Sequence, residues 1–400
     1  MRLRLFHVGL RLVFTIVLVC EVAMKVLTVV GTRPEIIRLS RILLTLDDYV
    51  EHVVVHTGQN YDYELSQIFF DDLGLRKPDY FLNAAASTPA RTVAAIIDKM
   101  DEVYAQEQPD ATLVLGDSNS SLAAYAAKRR KIPIFHVDAG KRAHDQRVPE
   151  EINRRLVDSI ADINLPCSSI AVANLQKEGF PIDRVFKIDS PTAEVFGHYL
   201  KNIEKSDILK RYSLREKEYF VVSSHREENV DDPVQLHNLI LTLNNLVSYE
   251  KKRVIFSVHP RTRKRLEASS ETLAPEIKLI RPLGFYDYNA LQSSSYAVLS
   301  DSGSIDEEST FLNFPAINLR NTRERTEISD VGGAIMTGVE WSRVTDALKI
   351  IRHRIDSGFY EGRAYDFSGR EISEKVLQII MDYTPYVNRF VWHKQSAYEG

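Results

Sequence analysis

The sequence predicts an α/β protein made of two doubly wound parallel sheets facing a cleft. Two observations carry this. Short β-branched runs alternate with helical patterns from Lys25 onward, and the alternation restarts after about residue 190. Strands that read as unbroken apolar runs between helices belong to parallel sheets covered on both faces. Four hundred residues allow two such units.

In order, Lys25–Val30 reads as a buried strand, and Glu35–Leu46 as a helix opened by Pro34. His52–His56, Thr112–Gly116 and Ile132–His136 are further strands, with an alanine-rich helix from Ser120 to Lys131. The second series has strands at Tyr219–Ser223, Arg253–Ser257, Ile277–Ile280, Tyr296–Ser300 and Ala316–Asn318. Helical segments lie at Pro233–Leu246, Tyr286–Ser293 and Ile305–Leu312. The division is expected near Ser190-Pro191, giving domains 24–190 and 191–369, and the late helix Ile372–Tyr383 is expected to pack back on the first.

Composition narrows the partners. A net charge of -4 gives no reason to expect nucleic acid or an anionic membrane. Two cysteines cannot make a disulfide framework, which suits a reducing cytoplasm. Residues 1–23 stand apart: Arg2, Arg4 and Arg11 precede an apolar run, Leu12–Cys20, too short to span a bilayer. Glu21 falls where a signal peptide needs a small residue. Translation starting at Met24 is the expected explanation; a signal or anchor and a genuine extension are the alternatives.

Chemistry gathers behind the strands, where doubly wound sheets build their sites. Gly31-Thr-Arg33-Pro-Glu-Ile-Ile-Arg38 offers a tight turn, a helix start and two arginines to an anion; a surface turn with solvated arginines is the bland reading. Asp117 is either a helix cap or a proton acceptor facing the cleft. His136-Val-Asp138-Ala-Gly-Lys-Arg142 crowds ionisable groups just before Pro149-Glu150-Glu151, with Arg154 one turn later. Carboxylates in a first helical turn are stabilised by the dipole, but capping needs only one. A lone histidine such as His136 is more often a satisfied core residue.

In the second half, Ser223-Ser-His225-Arg226, Ser257-Val-His259 and Ser300-Asp-Ser302-Gly303 each close a strand. Ser302 and Gly303 supply a hydroxyl and approachable N–H groups for a diphosphate, and Arg320 and Arg323–Arg325 extend the basic character. Glu307 and Glu308 suit ribose hydroxyls or a basic partner instead. There is no Walker A sequence, GxGxxG or CxxC pair, and His136, Asp138 and His144 make a poor metal set, so no cofactor and no metal are expected.

These motifs resemble the non-hydrolysing UDP-N-acetylglucosamine 2-epimerases over nearly the whole chain from Met24. The carriers are Val30–Glu35, His56–Asn60, Gly116-Asp117, the His136–Gly140 loop, Pro149–Arg154, His225–Asn229 and Asp301–Gly303 with Glu307-Glu308. Asp145–Arg154, Asp162–Pro166, His259–Lys264, Leu312–Pro315 and Tyr386–Arg389 look like the branch forming UDP-N-acetyl-L-fucosamine.

The resemblance implies two Rossmann-like domains in a GT-B-like arrangement, elimination of UDP to a 2-acetamidoglycal, and re-addition after proton exchange at C2. It implies acid/base roles for Asp117, Asp138 and Glu150, and a place for His225 near the diphosphate. Arg33, Arg38, His259, Ser302 and Glu308 match nucleotide and phosphate contacts, and Arg154 a supporting arginine; the family is expected to be homodimeric. The rival readings are the UDP-N-acetylglucosamine/mannosamine pair, a UDP-sugar-binding protein with weakened turnover, and a glycosyltransferase on the same scaffold.

Five positions depart from the pattern. Asp138 stands for glutamate, Lys141 for asparagine, Ser159 for histidine, Asp189 for glycine and Thr326 for proline. Shortening an acid by a methylene matters where about 1 Å can cost on the order of a hundredfold in rate.

Overall fold

The computed structural model describes residues 24–58, 63–145, 148–322, 333–361 and 371–394. Two six-stranded parallel sheets organise it. The first contains β1 (Lys25–Val30), β2 (Glu51–His56), β3 (Tyr80–Phe81), β4 (Ala111–Leu115), β5 (Ile134–Val137) and β6 (Ile163–Leu165), in the order β3-β2-β1-β4-β5-β6. The second contains β7 (Tyr219–Ser223), β8 (Arg253–Ser257), β9 (Ile277–Ile280), β10 (Ala297–Ser300), β11 (Ala316–Asn318) and β12 (Ile335–Met336). Its order, β12-β11-β10-β7-β8-β9, is the same winding read from the other edge. Each sheet therefore reverses strand order once, at β1/β4 and β7/β10, where a doubly wound sheet opens a crevice.

Strand interiors explain the pairing. Val26, Leu27 and Val29 of β1 and Phe220, Val221 and Val222 of β7 are buried on both faces, so these strands can sit only inside a covered sheet. Glycine is mandatory directly after β1. A Cβ on Gly31 would lie 2.0 Å from both Thr57 Oγ1 and Ser120 Oγ, the tips of the loops after β2 and β4. Those hydroxyls hydrogen-bond each other at 2.7 Å, drawing the three loops together.

The two lobes share one apolar core through the Pro191–Glu204 helix, whose Phe196 and Tyr199 stack near Phe285 and Phe311 of the second lobe. Asp72 of the first lobe accepts Phe285 N–H at 2.7 Å, and Tyr199 Oη donates to Leu73 O at 2.6 Å. The Ile372–Phe390 helix packs on the Arg33–Tyr49 and Pro191–Glu204 helices, and Ser373 N donates to Glu194 at 2.8 Å.

Two expectations are corrected. The helix foreseen at Ser120–Lys131 is a 3₁₀ turn, Asn119–Ala123, followed by an α-helix, Ala124–Arg129, because Ser118 and Ser121 hydroxyls bind the backbone locally. The last helix continues past Tyr383 and through Pro385 to Phe390. An interior proline costs ~3 kcal/mol. Burial of Ile372, Val376, Leu377, Ile380 and Val387, on the order of 10 kcal/mol at ~2 each, outweighs it.

Candidate active site

The site is built on loops that leave the carboxyl ends of the strands. β4 runs into Gly116-Asp117, β5 into Asp138, β7 into Ser224-His225-Arg226, β10 into Asp301-Ser302-Gly303, and β11 into Leu319-Arg320.

In the first lobe, each expected acid meets a different arginine. Asp117 Oδ2 lies 2.7 Å from Arg154 Nη2, and its backbone carbonyl accepts from Asn153 Nδ2 at 3.0 Å. Asp138 is buried in left-handed backbone (φ 65°) and accepts from Arg38 Nη1 at 2.5 Å and from Lys141 Nζ. Two of the five departures thus meet in one cluster: the shorter acid sits between Arg38 and the added lysine. Glu150, third of the expected acids, is half-buried and faces the other lobe, 3.4 Å from Arg226 Nη1. Glu35 ties the loops after β1 and β4 together. It accepts from Gly31 N at 2.8 Å, Thr32 N at 2.7 Å and Ser118 Oγ at 2.6 Å. Burial pushes its carboxyl up to about 7 against those hydrogen bonds.

In the second lobe, Asp301 is the hub. It is fully buried and accepts from Ser224 Oγ at 2.7 Å, His225 N and Arg226 N at 3.0 Å, and Asn229 Nδ2 at 3.1 Å. Burial alone would raise its carboxyl. The His225 ring 3.2 Å away, Ser224 and the Arg226 amide outweigh that and hold it well below the usual range. Asp301 therefore fixes His225 and Arg226 beside Gly303, where a Cβ would stand 3.7 Å from Arg226 Nη2 and 3.8 Å from Arg320 Nη1. Two guanidiniums, the Ser302 hydroxyl and an unobstructed backbone converge there, a donor set suited to a diphosphate.

His259 caps the Pro260–Ala268 helix, its Nδ1 accepting from Arg261 N at 3.3 Å and its ring centred 6.2 Å from that of His225. Glu308, raised by burial, accepts from Ser304 Oγ at 2.6 Å and Gln292 Nε2 at 3.0 Å. Glu307 faces the linker instead, accepting from Ser190 Oγ at 2.5 Å and Thr192 Oγ1 at 3.2 Å.

Charge links the lobes as well. Arg38 feels Glu307 as well as Asp138, and the Tyr288 hydroxyl, raised by burial and by Glu308, feels the opposing charge of Arg33. Asp117, Asp138, Glu150, Arg33, Arg38 and Arg154 belong to the first lobe, the acid wall, and His225, His259, Ser302, Gly303 and Glu308 to the second, the diphosphate wall; the Glu150–Arg226 contact is where the two meet. Arg325 and the departure at Thr326 lie outside the described residues.

The structure adds residues that the sequence reading left without a role. Arg226 bridges the lobes, Asp301 sets the second wall, and Glu35 clips two loops. An acid at the end of a buried strand was the available signal for Asp301; the N–H groups it binds, of His225 and Arg226, lie 76 and 75 residues earlier. His136 is a core residue: Nε2 donates to Gly116 O at 2.7 Å and Nδ1 lies 2.9 Å from Asp158. No group of three or more potential metal-binding side chains occurs among the described residues. Asp189 has left-handed backbone (φ 66°), the region that favours glycine, and its carboxylate pairs with Lys187 at 2.9 Å. Ser159 faces away from the site and lines a cavity of about 150 Å³ with Lys128, Asp162 and Arg184, near the amino end of β6.

Comparison with known proteins agrees with this architecture. Residues 44–381 match the family model described as UDP-N-acetylglucosamine 2-epimerase. The structure of UDP-N-acetylglucosamine 2-epimerase from Rickettsia bellii is 43% identical, with a TM-score of 0.83 over 93% of this chain and 100% of that one. The Methanocaldococcus jannaschii UDP-GlcNAc 2-epimerase, solved in complex with UDP-GlcNAc and UDP, is 32% identical, with a TM-score of 0.81 over 90% of this chain and 100% of that one. A UDP-2,3-diacetamido-2,3-dideoxy-D-glucuronate 2-epimerase from Pseudomonas aeruginosa is 32% identical over 82% of this chain and 92% of its own length. With the winding of both sheets and the facing walls in place, the chain belongs to the UDP-N-acetylglucosamine 2-epimerase family, and it is an isomerase of the non-hydrolysing type.

Proposed function

We propose that this epimerase inverts C2 of a UDP-linked 2-acetamido-2,6-dideoxy-L-talose, giving UDP-N-acetyl-L-fucosamine for surface polysaccharide synthesis in the cytoplasm. The observation that carries the chemistry is the Arg226–Glu150 contact, which joins the acid wall to the diphosphate cradle around Gly303. The branch-like motifs from Asp145 to Arg154 and from His259 to Lys264 favour the 6-deoxy-L sugar. The relatives that act on UDP-N-acetylglucosamine favour a second reading, the UDP-N-acetylglucosamine/mannosamine pair.

A C2–H bond is a weak acid, so proton removal is coupled to departure of UDP from C1. Arg226, Arg320, His225 and Ser302 receive the charge growing on the diphosphate, where preorganised donors are worth most. Asp117, Glu150 and Asp138 are the acid/base groups, one taking the C2 proton and another returning one to the opposite face. Arg33, Arg38, His259, Glu308 and Arg325 hold the nucleotide and phosphates, and Arg154 orients Asp117. Both lobes enclose the glycal so that UDP returns before it escapes. The lobes divide at 190/191, with the last helix returning to the first. Two copies are assigned to meet on the Pro149–Ile160 helix, whose Ile152 and Leu156, one turn apart, are half exposed beside Tyr125 of the neighbouring helix.

Incubation with each UDP-sugar in D₂O tests the reading. Deuterium at C2 with inversion supports it, the best substrate deciding between the two sugar pairs. UDP-sugar binding without exchange, or transfer only to an added acceptor, would overturn it. Glu150→Gln is expected to abolish exchange while UDP affinity, measured by calorimetry, stays nearly unchanged.

A further inference from the structure

Beside Glu150 stands a second carboxylate in a different setting. Glu151 is fully buried. Its Oε1 accepts from Arg155 Nε at 3.0 Å; its Oε2 accepts from Ala143 N at 2.9 Å and lies 3.3 Å from Arg154 Nη1. The other arm of Arg154 reaches Asp117 at 2.7 Å. One buried guanidinium thus spans two carboxylates.

The pairing continues. Arg155 Nη1 lies 3.2 Å from Glu178, Arg142 Nη2 lies 2.5 Å from Glu178, and Arg142 Nη1 lies 2.8 Å from Asp158. Asp158 is 2.9 Å from His136, whose Nε2 donates to the carbonyl of Gly116, the residue before Asp117. These contacts form a chain that begins and ends at the Gly116-Asp117 turn.

We infer that Glu151 is a positioning residue, which through Arg154 fixes the Asp117 carboxylate and through Ala143 N fixes the loop that follows Asp138. An ion pair on each arm restrains where the guanidinium sits, whereas one facing a single acid can swing about its stem. Glu151 itself is sealed from the cleft and reaches no substrate. The inference rests on the acid/base reading of Asp117.

The test compares wild type with Glu151→Gln and Arg155→Gln in D₂O, with KM for the UDP-sugar, calorimetric affinity for UDP and circular dichroism measured in parallel. A shift of ~1 Å at Asp117 predicts that Glu151→Gln loses on the order of a hundredfold in kcat. KM and UDP affinity should stay within about twofold, because the substitution disturbs geometry at the reacting carbon and leaves the binding contacts in place. Arg155→Gln removes the half-exposed Arg155's contacts with Glu151 and Glu178 and leaves Arg154 in place, so it keeps its fold and is expected to lose several-fold in kcat alone. A Glu151→Gln protein with unchanged kcat, or one losing UDP affinity and exchange in parallel, would overturn the inference. Should Glu151→Gln not fold, Arg155→Gln decides: a kcat loss with intact UDP affinity supports it, and unchanged kcat overturns it. Absence of exchange in wild type counts instead against the proposed function.

Discussion

Gly31→Ala probes how the first lobe holds its loops together. The added methyl would stand 2.0 Å from Thr57 Oγ1 and Ser120 Oγ, about half a normal contact distance, on oxygens that are buried and bonded to each other at 2.7 Å. Neither side chain can simply turn away, because each would leave its partner unsatisfied. Overpacking costs about 1–3 kcal/mol, and an orphaned buried hydroxyl another ~1–3, so the loss should be about 2–6 kcal/mol. Urea denaturation followed by tryptophan fluorescence measures it. Ser120 follows Asp117 by three residues, so displacing it also moves the proposed acid, and exchange should fall by on the order of a hundredfold. Combining the change with Thr57→Ala and Ser120→Ala removes the obstructing oxygens and should restore most of the stability. A loss under ~1 kcal/mol with full exchange would refute the argument that these three loops are locked by contact.

Glu35 gives a pH signature. Its carboxyl is raised from 4.5 to about 7, so its protonated form is favoured by folding; the contribution is full below pH 4.5 and is lost as pH rises through about 7. The shift corresponds to roughly 3 kcal/mol of stability across that window, a slope that Glu35→Gln should remove in denaturation series at several pH values. Arg226→Gln separates binding of charge from stability. Its ion pair with Glu150 is partly exposed, about 23% and 33%, and is worth at most ~1 kcal/mol, so Tm should barely move. Loss of a donor to the departing diphosphate should nevertheless lower kcat by about 10²–10³-fold. Asp189→Gly relieves left-handed strain of ~1 kcal/mol and gives up a surface pair worth less, so a gain of about 0.5 kcal/mol is expected in urea titration.

Much of the fold was legible because parallel strands in covered sheets are continuous apolar runs. β1, β7, β8, β9 and β11 have the bounds that their patterns predict. β3 and β12 have two residues each and lie at sheet edges, a length that leaves no periodicity to read. The last helix was read short because Pro385 is a local stop signal, while its continuation depends on apolar neighbours distant in sequence. Asp117 and Asp138 were legible from their places after strands, and Glu150 from the paired carboxylates at a helix start. Their partners were not: Arg226 meets Glu150 across 76 residues and Arg38 meets Asp138 across 100, distances that only the closed fold spans. The coupling of Asp138 with Lys141 was visible as two departures three residues apart, but only their contact shows them to be one change.

The central claim is that a nucleotide sugar lies between the two walls, and a crystal structure with UDP and a UDP-N-acetylhexosamine tests it most directly. The account predicts the diphosphate between Gly303, Arg226 and Arg320, with C2 of the sugar within hydrogen-bonding reach of Asp117 or Glu150. A ligand bound with its sugar turned away from those acids, or lodged in the Lys128–Arg184 cavity, would contradict it.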